Sequence, residues 1–589
     1  MFPHRLRPLV PYLKRYRMGL FWGGVSVLLS NAFALVIPQL MGSASEDMQR
    51  QVTRGKILHF ALLIAVFALL KNIFLFLIRW ILIGVSRDIE FDLRNDLFAN
   101  LERQPQSYYH THRTGDIMAR TTNDLNAVRQ LLGPAIMYSA NTIAFTIGAL
   151  YFMLRISPRL TLCAFVSLPI ASVLVQYFGS RIHHRFERIQ AMFSDITAKA
   201  QENFSGARLI RAFAQEEPEI VSFERANQEY IGRSLHLVRL MGMLWPTLEF
   251  VLGLSLVLTL FFGGREVVQG RINFGQFVTF NTFMIMLTWP MIALGYVVNL
   301  FQRGTASVVR IDELLKQQPA IWDNETDASI SPDTQLTGAI EFRDLNFSYA
   351  DEGGNPAEVL HHISLSVPAG SSLAIVGPTG SGKSTLVGLI PRLHEAAVDS
   401  LFIDGRSIRD YPLSVLRRNI GFVPQETFLF SDSIRENVAF GAPGATEEDI
   451  LRAATAAHIA NEILEFPRGF DTLVGERGIT LSGGQKQRTA IARAVIRNPR
   501  ILILDDALAS VDTYTEEQIL EELRRIMQGR TTIFISHRVS TVRNADRIAV
   551  LVSGRIAELG THDELIARNG YYTSLYEKQR LEEEIAVTG

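Results

Sequence analysis

Residues 377–385 read Gly-Pro-Thr-Gly-Ser-Gly-Lys-Ser-Thr, and this segment decides the fold of the second half of the chain. It matches the pattern G-x-x-x-x-G-K-[ST] of a phosphate-binding loop. The apolar run Ser372–Val376 before it predicts a buried strand, and apolar residues at helical spacing after it predict a helix. Glycines let such a loop curl so that N–H groups point inward, and the helix start adds the positive end of its dipole. The segment therefore predicts a nucleoside triphosphate site.

The side chains of the loop predict how the nucleotide is held. Lys383 is long enough to reach the outer phosphates, and the Ser384 hydroxyl is a suitable Mg²⁺ ligand. A chance glycine-serine loop is the alternative, but the predicted strand, the loop and the predicted helix follow one another in the order that the motif requires. We expect these loop residues to contact the nucleotide: Gly377, Pro378, Thr379, Gly380, Ser381, Gly382, Lys383, Ser384 and Thr385.

Length and composition indicate a membrane protein with an attached soluble part. The 589 residues are too many for one hydrophobic core, so at least two domains are expected. Hydrophobic residues make up 48% of the chain, which favours a membrane part. The net charge of −1 gives no sign of nucleic-acid binding. The single cysteine, Cys163, excludes an intrachain disulfide and a cysteine-based metal site.

The first half contains six apolar runs, each long enough to cross a bilayer core, which takes about 20 helical residues. One or two of them alone would also suit buried helices of a soluble protein. Six in series, with none in the second half, favour a six-span membrane domain. The runs lie at residues 18–40, 57–85, 133–154, 158–179, 242–262 and 273–301.

Basic residues predict the orientation of these spans. Residues 4–17 mix arginine and lysine with apolar residues, as in a helix that lies on the cytoplasmic membrane surface. The long connections 86–132 and 180–241 are rich in arginine and histidine, so the positive-inside rule places them in the cytoplasm. Arg155 and Arg159, beside a predicted external link, go mildly against the rule. An even number of spans puts both termini in the cytoplasm.

Both cytoplasmic connections are predicted to extend the spans as helices. Apolar residues recur at helical spacing over residues 88–101 and 182–202. Short segments of mixed polarity follow at 115–120 and 206–213, and they suit docking onto another domain. Ordinary helix hairpins explain the same pattern, so the sequence leaves both interpretations open.

Polar residues within the predicted spans point to a translocation path. Lys71 lies near the middle of the second span and Glu249 lies within the fifth. A charge at such depth is costly, so each should face a wet cavity or a partner charge. A structural contact between Lys71 and Glu249 is the alternative. Other residues that stand out within the spans are Asn31, Pro38, Gln39, Asn72, Arg79, Asn281 and Trp289.

The second half places polar residues after several predicted strands. Asp505, Gln425 and His537 each end or follow an apolar run. Ligands of open α/β sheets lie at the carboxyl ends of the strands, so these side chains should surround the phosphate loop. Asp505 would hold Mg²⁺ opposite Ser384, Gln425 has reach to the metal or the attacking water, and a neutral His537 would orient the γ-phosphate. Tyr349, before the loop, suits either an aromatic platform under the adenine ring or ordinary packing.

A second glycine-rich segment, Leu481-Ser482-Gly483-Gly484-Gln485, precedes a predicted helix. It is therefore a second anion site. One chain has no second phosphate loop to use with it. The economical arrangement is a dimer in which this segment covers the nucleotide held by the other copy.

The two motifs together resemble those of ATP-binding-cassette exporter half-transporters, in which six spans precede one cassette. The resemblance covers nearly the whole chain. It implies an α-helical membrane domain of the type I exporter fold, fused to an α/β P-loop nucleotide-binding domain. The implied boundaries are 1–316 for the transmembrane domain, 317–337 for a linker, 338–578 for the nucleotide-binding domain and 579–589 for a C-terminal tail.

The resemblance also implies roles for single residues. Tyr349 would stack on adenine, Gln425 would form the Q-loop, and His537 would be the switch histidine. Asp512 would be the aspartate of the D-loop. The signature residues expected to contact the partner's nucleotide are Ser482, Gly483, Gly484 and Gln485. Segments that resemble the exporter-specific loop and the two coupling helices are Thr472–Gly478, Gly115–Asp124 and Glu202–Phe213.

One residue departs from the family pattern. After Asp505 the family usually has a glutamate, the general base for the attacking water, whereas this chain has Asp506. Its side chain is one methylene shorter, which displaces the carboxylate by roughly 1 Å or more. Losing a positioned base costs roughly 10²–10⁴-fold in rate. The chain thus resembles the Asp-Asp subunit of heterodimeric bacterial multidrug exporters, whose own site binds ATP but hydrolyses it slowly.

The sequence therefore predicts ATP-driven export of amphipathic compounds, drugs or lipids, by alternating access, with this chain as one subunit of a heterodimer. A homodimeric exporter that hydrolyses ATP at both sites is an alternative, because His537 is intact and the impairment is therefore not general. A nucleotide-gated regulatory subunit is another. The catalytic residues expected in each case are Asp506, His537 and Gln425.

The expected cofactors are ATP and Mg²⁺, the latter held by Ser384, Gln425 and Asp505. The expected partners are a second half-transporter, membrane lipids and a hydrophobic or amphipathic small molecule, without nucleic acid. We expect a multi-pass protein of the cell (inner) membrane.

Overall fold

The chain forms two compact units. The computed structural model describes residues 4–50, 53–165, 167–323, 326–327, 329–350, 356–475, 478, 480–507 and 525–588. The first unit comprises Met1–Ala99 and Ile117–Lys316. The second comprises Asn100–Asp116 and Gln317–Gly589.

Residues up to Lys316 are helical almost throughout. Long apolar segments favour helices in lipid, because only a helix satisfies its backbone polar groups within one segment. A 3₁₀ turn (His4–Leu9) comes first, and π-helical turns at Arg79–Ile83, Arg120–Asp124 and Leu131–Ala135 join successive helices. The helices are α1 (Val10–Arg15), α2 (Arg17–Arg50), α3 (Arg54–Ile78), α4 (Gly84–Leu101), α5 (Gln106–Thr111), α6 (Thr114–Ala119), α7 (Leu125–Gln130), α8 (Ile136–Ile156), α9 (Pro158–Phe165), α10 (Ser167–Ser205), α11 (Ala207–Ala212), α12 (Glu216–Val268) and α13 (Phe274–Lys316).

Within the described residues, five helical runs are long and apolar enough to cross a membrane. They confirm five of the six predicted spans. The remaining one, at residues 158–179, falls on α9 and α10, on either side of residue 166, which lies outside the described residues. That crossing therefore stays a prediction. The five runs are Arg17–Arg50, Arg54–Leu101, Thr114–Ile156, Glu216–Val268 and Phe274–Lys316.

Small residues let α2 and α13 approach closely. A Cβ atom on Gly42 would lie 2.4 Å from the carbonyl oxygen of Gly275, so neither helix tolerates a side chain there. Beside this contact the Thr279 hydroxyl donates to the Pro38 carbonyl oxygen, at 3.2 Å. Helix pairs in membranes pack through such small residues and short polar contacts.

The intramembrane charges do not pair with each other. Lys71 is half-buried on α3 and Glu249 is exposed on α12, and the described side chains include no ion pair between the two. Of the other polar residues, Asn31 donates to Asn141 at 3.0 Å. The direct Lys71–Glu249 contact considered from the sequence is thus not formed within one chain.

The helical extensions predicted beyond the spans are confirmed, since α4 continues to Leu101 and α10 to Ser205. The segment Asn100–Asp116, which contains α5, groups with the second unit. There the Gln104 side chain donates to the carbonyl oxygen of Gln317, at 3.1 Å. Residues of the first cytoplasmic connection therefore belong to the second unit from Asn100 onward, before the predicted docking segment 115–120 begins.

Two sheets form the core of the second unit. The antiparallel sheet has the order β2-β1-β4-β5, and the larger sheet has the order β10-β9-β3-β8-β7-β6. In the larger sheet β9, β3, β8, β7 and β6 run parallel, and only β10 is antiparallel. The strands are β1 (Ile340–Ala350), β2 (Pro356–Val367), β3 (Ser372–Val376), β4 (Leu401–Ile403), β5 (Arg406–Ser407), β6 (Ile420–Val423), β7 (Ile501–Asp505), β8 (Thr531–Ile535), β9 (Arg547–Val552) and β10 (Arg555–Gly560).

Helices cover the parallel sheet, and the strands are buried on both faces, as such sheets require. Every residue of β7 and β8 is buried. The helices are α14 (Lys383–Leu389), α15 (Leu413–Arg418), α16 (Ile434–Ala439), α17 (Glu447–Ala456), α18 (Ala460–Glu465), α19 (Gly483–Val495), α20 (Val539–Val542), α21 (His562–Arg568) and α22 (Tyr571–Thr588), with a 3₁₀ turn at Gly469–Asp471.

Candidate nucleotide site

The phosphate loop connects β3 to α14, as the sequence predicts. Gly377 has φ +150°, and a Cβ atom there would lie 2.0 Å from the carbonyl oxygen of Leu551. Gly382 caps α14 with φ +96°, and its Cβ would lie 2.8 Å from the Leu360 side chain. Only glycine fits both positions, so the loop keeps a bare backbone on which a phosphate can lie.

Lys383 points back into this loop. Its ammonium group donates to the carbonyl oxygens of Gly377 and Pro378, at 2.9 Å each. Burial lowers the pKa of Lys383, and the carboxylates of Asp506 and Asp505 oppose that shift. The hydrogen bonds that the described residues give Lys383 are to neutral carbonyls, so this buried cation is suited to meet an anion.

Ser381 supplies a further sign that the loop fits phosphate. Its hydroxyl oxygen is buried, and no described residue forms a hydrogen bond with it. Buried hydroxyl groups are rarely left without a partner. The orphaned donor and the left-handed glycines together fit the triphosphate of ATP.

Asp505, at the end of β7, faces the start of α14. The Ser384 hydroxyl donates to its carboxylate, at 3.1 Å. Burial raises the pKa of Asp505, and the Asp506 charge adds to the rise, whereas Ser384, Lys383 and His537 oppose it. A hydroxyl and a carboxylate in contact form a hard oxygen donor set, which suits Mg²⁺. The two predicted metal ligands are thus brought together.

The sheet order brings the other strand ends beside the loop. β8 lies between β3 and β7, and β6 follows β7. His537 follows β8, Asp506 follows β7, and Gln425 lies in the bend after β6. The side chains of Gln425 and His537 are exposed. Four consecutive parallel strands therefore present their carboxyl ends to one site.

Asp506 adopts a left-handed backbone conformation, with φ +48°. Its N–H donates to the carbonyl oxygen of Ile535, at 3.1 Å, so the backbone position is fixed by β8. Aspartate is among the few residues that tolerate this conformation. Because the backbone is fixed, the reach of the carboxylate depends on the length of the side chain.

Tyr349, near the end of β1, lies beside the phosphate loop. Its hydroxyl is 3.1 Å from the Thr385 hydroxyl. The rings of Phe347 and His394 contact its ring edge-to-face, with centroids at 5.0 and 5.2 Å. These contacts orient the Tyr349 ring, which remains partly exposed and able to stack on a base.

The signature segment forms the capped start of α19. The Ser482 hydroxyl accepts from the Gln485 N–H, and the Gln485 side chain accepts from the Ser482 N–H, at 3.2 and 2.9 Å. Ser482 and Gly483 are exposed, and Gly484 and Gln485 are half-buried. The segment is therefore an accessible helix start whose free N–H groups can receive an anion.

Two residues that were not predicted from the sequence, Arg488 and Glu462, stabilise this segment. The Arg488 guanidinium donates to both carboxylate oxygens of Glu462, at 2.5 and 3.0 Å, and to the carbonyl oxygen of His458. The Gln485 amide donates to Glu462 at 3.0 Å. Burial alone would raise the pKa of Glu462, but these hydrogen bonds lower it overall. Nothing in the sequence indicates that Glu462, on α18, lies beside α19.

Two further residues near the site, Arg493 and Gln579, were also not predicted from the sequence. Arg493, on α19, donates to the carbonyl oxygens of Phe428 and Asn437, so it supports the segment after Gln425. Burial lowers the pKa of Arg493 to about 10. Gln579, on α22, accepts from the Val539 N–H at 2.7 Å and donates to the His537 carbonyl oxygen. The sequence assigns Gln579 to a tail, which hides this role.

Some predicted elements lie outside the described residues. Asp512 falls within residues 508–524. The segment Thr472–Gly478 is described except for residues 476 and 477. Their proposed roles rest on the sequence.

Known proteins share both halves of the chain. A family model described as the ABC transporter transmembrane region matches residues 20–291, and one described as ABC transporter matches residues 360–509. The chain is 38% identical over 502 residues to the ATP-dependent lipid A-core flippase of Syntrophus aciditrophicus (strain SB), over 85% of this chain and 82% of that protein. It is 35% identical over 579 residues to the probable multidrug resistance ABC transporter ATP-binding/permease protein YheI of Bacillus subtilis (strain 168), over 98% of each.

A solved structure has the same architecture. It is the structure of a bacterial Atm1-family ABC exporter with ATP bound. The TM-score is 0.78 at 28% identity, over 96% of this chain and 99% of that chain.

Proposed function

The chain belongs to the ABC transporters, as an exporter half-transporter with an ABC ATPase domain, and we propose that it is one subunit of an ATP-driven exporter of amphipathic compounds. Drugs and lipids are the substrate classes that the names of its relatives support. We further propose that the partner is a different half-transporter and that the ATP site on this chain hydrolyses slowly.

The exposed signature segment supports the dimer. Ser482 and Gly483 lie at a capped helix start and are accessible from solvent. Such a start binds an anion through free N–H groups. In the proposed dimer it covers the nucleotide held by the phosphate loop of the other subunit, so each ATP is held by both chains.

Residues of this chain have separate tasks at the proposed site. The loop N–H groups and Lys383 bind and orient the triphosphate, and Tyr349 positions the base. Mg²⁺ held by Ser384 and Asp505, with Gln425 nearby, would neutralise phosphate charge. His537 orients the γ-phosphate and the attacking water, and closure of the two cassettes turns the spans outward.

The proposal of slow hydrolysis rests on one observation, the fixed backbone position of Asp506. Its N–H is hydrogen-bonded to β8, so a backbone shift cannot compensate for a side chain that is one methylene shorter than that of glutamate. The carboxylate therefore stops short of the attacking water. The intact signature segment would complete the partner's site, where most hydrolysis would occur.

A homodimer that hydrolyses at both sites is the second candidate. The Ser384–Asp505 pair and the strand-end positions of His537 and Gln425 are all in place. If Asp506 reaches the water in the closed dimer, this chain is sufficient alone. ATPase activity of the purified chain separates the two candidates.

The remaining features of the proposal concern the membrane. We place six spans in the bacterial cytoplasmic membrane, the fourth at residues 158–179, with both termini in the cytoplasm. The domain boundaries are residue 316 for the membrane domain, 317–337 for the linker, 338–578 for the nucleotide-binding domain, and 579–589 for the tail. Three short links, near residues 41–56, 155–157 and 263–272, are predicted to be external. A cysteine-labelling scan of these links with an impermeant reagent tests the orientation. Labelling only from the cytoplasmic side would contradict it.

Transport itself is tested in vesicles. The chain, alone or with its partner subunit, is reconstituted and a fluorescent amphipathic dye is followed after ATP addition. Export that is lost in Lys383→Ala supports the proposal. Currents of small ions without dye movement would instead identify a nucleotide-gated subunit.

A further inference from the structure

An apolar cavity of about 620 Å³ lies between the N-terminal helical segment and the helices behind it. Leu6, Leu9 and Leu13 line it on one side, and Val27, Leu82 and Leu132 line it on the other. Its walls are almost wholly apolar. The volume lies within the range of about 300–1,000 Å³ that is typical of small-molecule sites.

The N-terminal segment is fastened in place over this cavity. The Tyr12 hydroxyl donates to Asp96 at 2.6 Å, and the Tyr16 hydroxyl donates to Asp92 at 3.0 Å. Arg15 forms an ion pair with Asp92, also at 3.0 Å. Three bonds to one face of α4 fix the helix, so the cavity is built into the fold.

Two cations belong to the same cavity. Lys14 and Arg17 are among its lining residues and both are exposed. In the described part of the chain neither side chain has a hydrogen-bond or ion-pair partner, whereas Arg15 between them is paired. An occupant that satisfies the whole cavity must be apolar at one end and anionic at the other.

A membrane surface supplies one such molecule in abundance. The cytoplasmic leaflet carries anionic lipids, which attract basic residues at the surface. An acyl chain in this cavity would make dispersion contacts with its apolar lining. We propose that the cavity holds one acyl chain of an anionic phospholipid, whose phosphate pairs with Lys14 and Arg17. This is a resident lipid, and it is independent of the compound that is transported.

Lipid retention by the full chain tests the site. The detergent-purified protein is titrated with phosphatidylglycerol or phosphatidylcholine, and retained lipid is counted by native mass spectrometry. We expect wild type to retain phosphatidylglycerol preferentially. Lys14→Gln with Arg17→Gln should weaken its binding by about tenfold or more, since each charge near the surface contributes to attraction. Arg5→Gln with Arg7→Gln removes the same charge outside the cavity and should change retention little.

Filling the cavity gives a second test that does not depend on charge. A Cβ atom on Gly24 meets nothing within 4 Å, and Gly24 lines the cavity, so Gly24→Leu places a side chain there. This variant should lose retention of both lipids. Gly55→Leu, on α3, also enters open space but away from the cavity, and is the matched control. Equal retention of the two lipids by wild type, or unchanged phosphatidylglycerol retention in Gly24→Leu, would overturn the proposal.

Discussion

The Ser384 hydroxyl donates a hydrogen bond of 3.1 Å to the carboxylate of Asp505. The two residues are 121 positions apart in the chain and belong to different motifs. Parallel pairing of β7 with β8, and of β8 with β3, brings them together. Two separate motifs thus supply a pair of hard oxygen donors, which suits Mg²⁺.

Ser384→Ala removes one of the two proposed metal ligands. We expect the Mg²⁺ concentration needed for half-maximal ATP binding to rise by about tenfold or more, because one of the few protein ligands of this metal is lost. Ser371→Ala, in the turn before β3, removes a hydroxyl outside the site and should leave the Mg²⁺ requirement unchanged. An unaltered requirement in Ser384→Ala would show that Ser384 does not bind the metal.

Lys383→Met should abolish ATP binding and yet stabilise the nucleotide-free protein. Burial lowers the folded-state pKa of Lys383, so the unfolded chain binds this proton more tightly. The stability of wild type should therefore rise with pH as the folded-state pKa is passed, up to the unfolded value of about 10.4. Lys383→Met should lack this rise and melt higher at neutral pH.

Thermal unfolding across this pH range, without nucleotide, measures the difference. Lys316→Met removes an exposed lysine and should keep the wild-type pH dependence. A lower melting temperature for Lys383→Met at neutral pH would mean that its two bonds to the loop outweigh the cost of burial.

Arg488→Ala should uncouple nucleotide binding from hydrolysis. The substitution removes the bonds of Arg488 to Glu462 and His458, which hold the signature segment, but leaves the phosphate loop intact. Breaking a buried ion pair typically costs about 3–5 kcal/mol, and half-exposed Glu462 reduces this figure. ATP should still bind to the chain, while the ATPase rate of the dimer falls. The control Arg452→Ala breaks an exposed pair with Asp449 and should affect neither.

Gln579→Ala should slow turnover without weakening ATP binding. Both atoms of the Gln579 amide hold the backbone around His537, and a neutral hydrogen bond contributes about 0.5–1.5 kcal/mol. In the Asp506→Glu background, where this site is expected to turn over, kcat should fall roughly threefold to tenfold with KM unchanged. Gln579→Glu keeps the acceptor and loses the donor, so it should be intermediate. Glu577→Ala, two residues earlier on α22, serves as the control. Equal losses of kcat in Glu577→Ala and Gln579→Ala would mean that α22 acts only through stability.

The strand, loop and helix around residues 377–385 could be predicted from the sequence because their signals are local. The segment 377–385 carries its own strand, turn and helix signals, and polar residues after apolar strands mark the sheet edge. Pairs between distant segments are different. Nothing in the local pattern reveals that Glu462 meets Arg488, or that Gln579 returns to His537, because these contacts depend on how α18 and α22 pack.

In the membrane half, too, local sequence patterns predict the helices but not the contacts between them. Apolar runs predict spans, and five of the six are confirmed as helices, since hydropathy reflects the solvent around each helix. The close contact of Gly42 with Gly275, and the cavity beneath the N-terminal helix, depend on packing between helices. Hydropathy carries no information about either feature.

ATPase activity of the purified chain in lipid, wild type beside Asp506→Glu, tests the central claim most directly. Unchanged ATP binding in both proteins shows that the fold is retained despite the left-handed backbone at this position. The account predicts that wild type is nearly inactive and that the glutamate raises the rate by at least tenfold, a threshold set below the roughly 10²–10⁴-fold that a positioned base contributes. A fast wild type that Asp506→Glu leaves unchanged would contradict it, and would identify the chain as a self-sufficient homodimeric exporter.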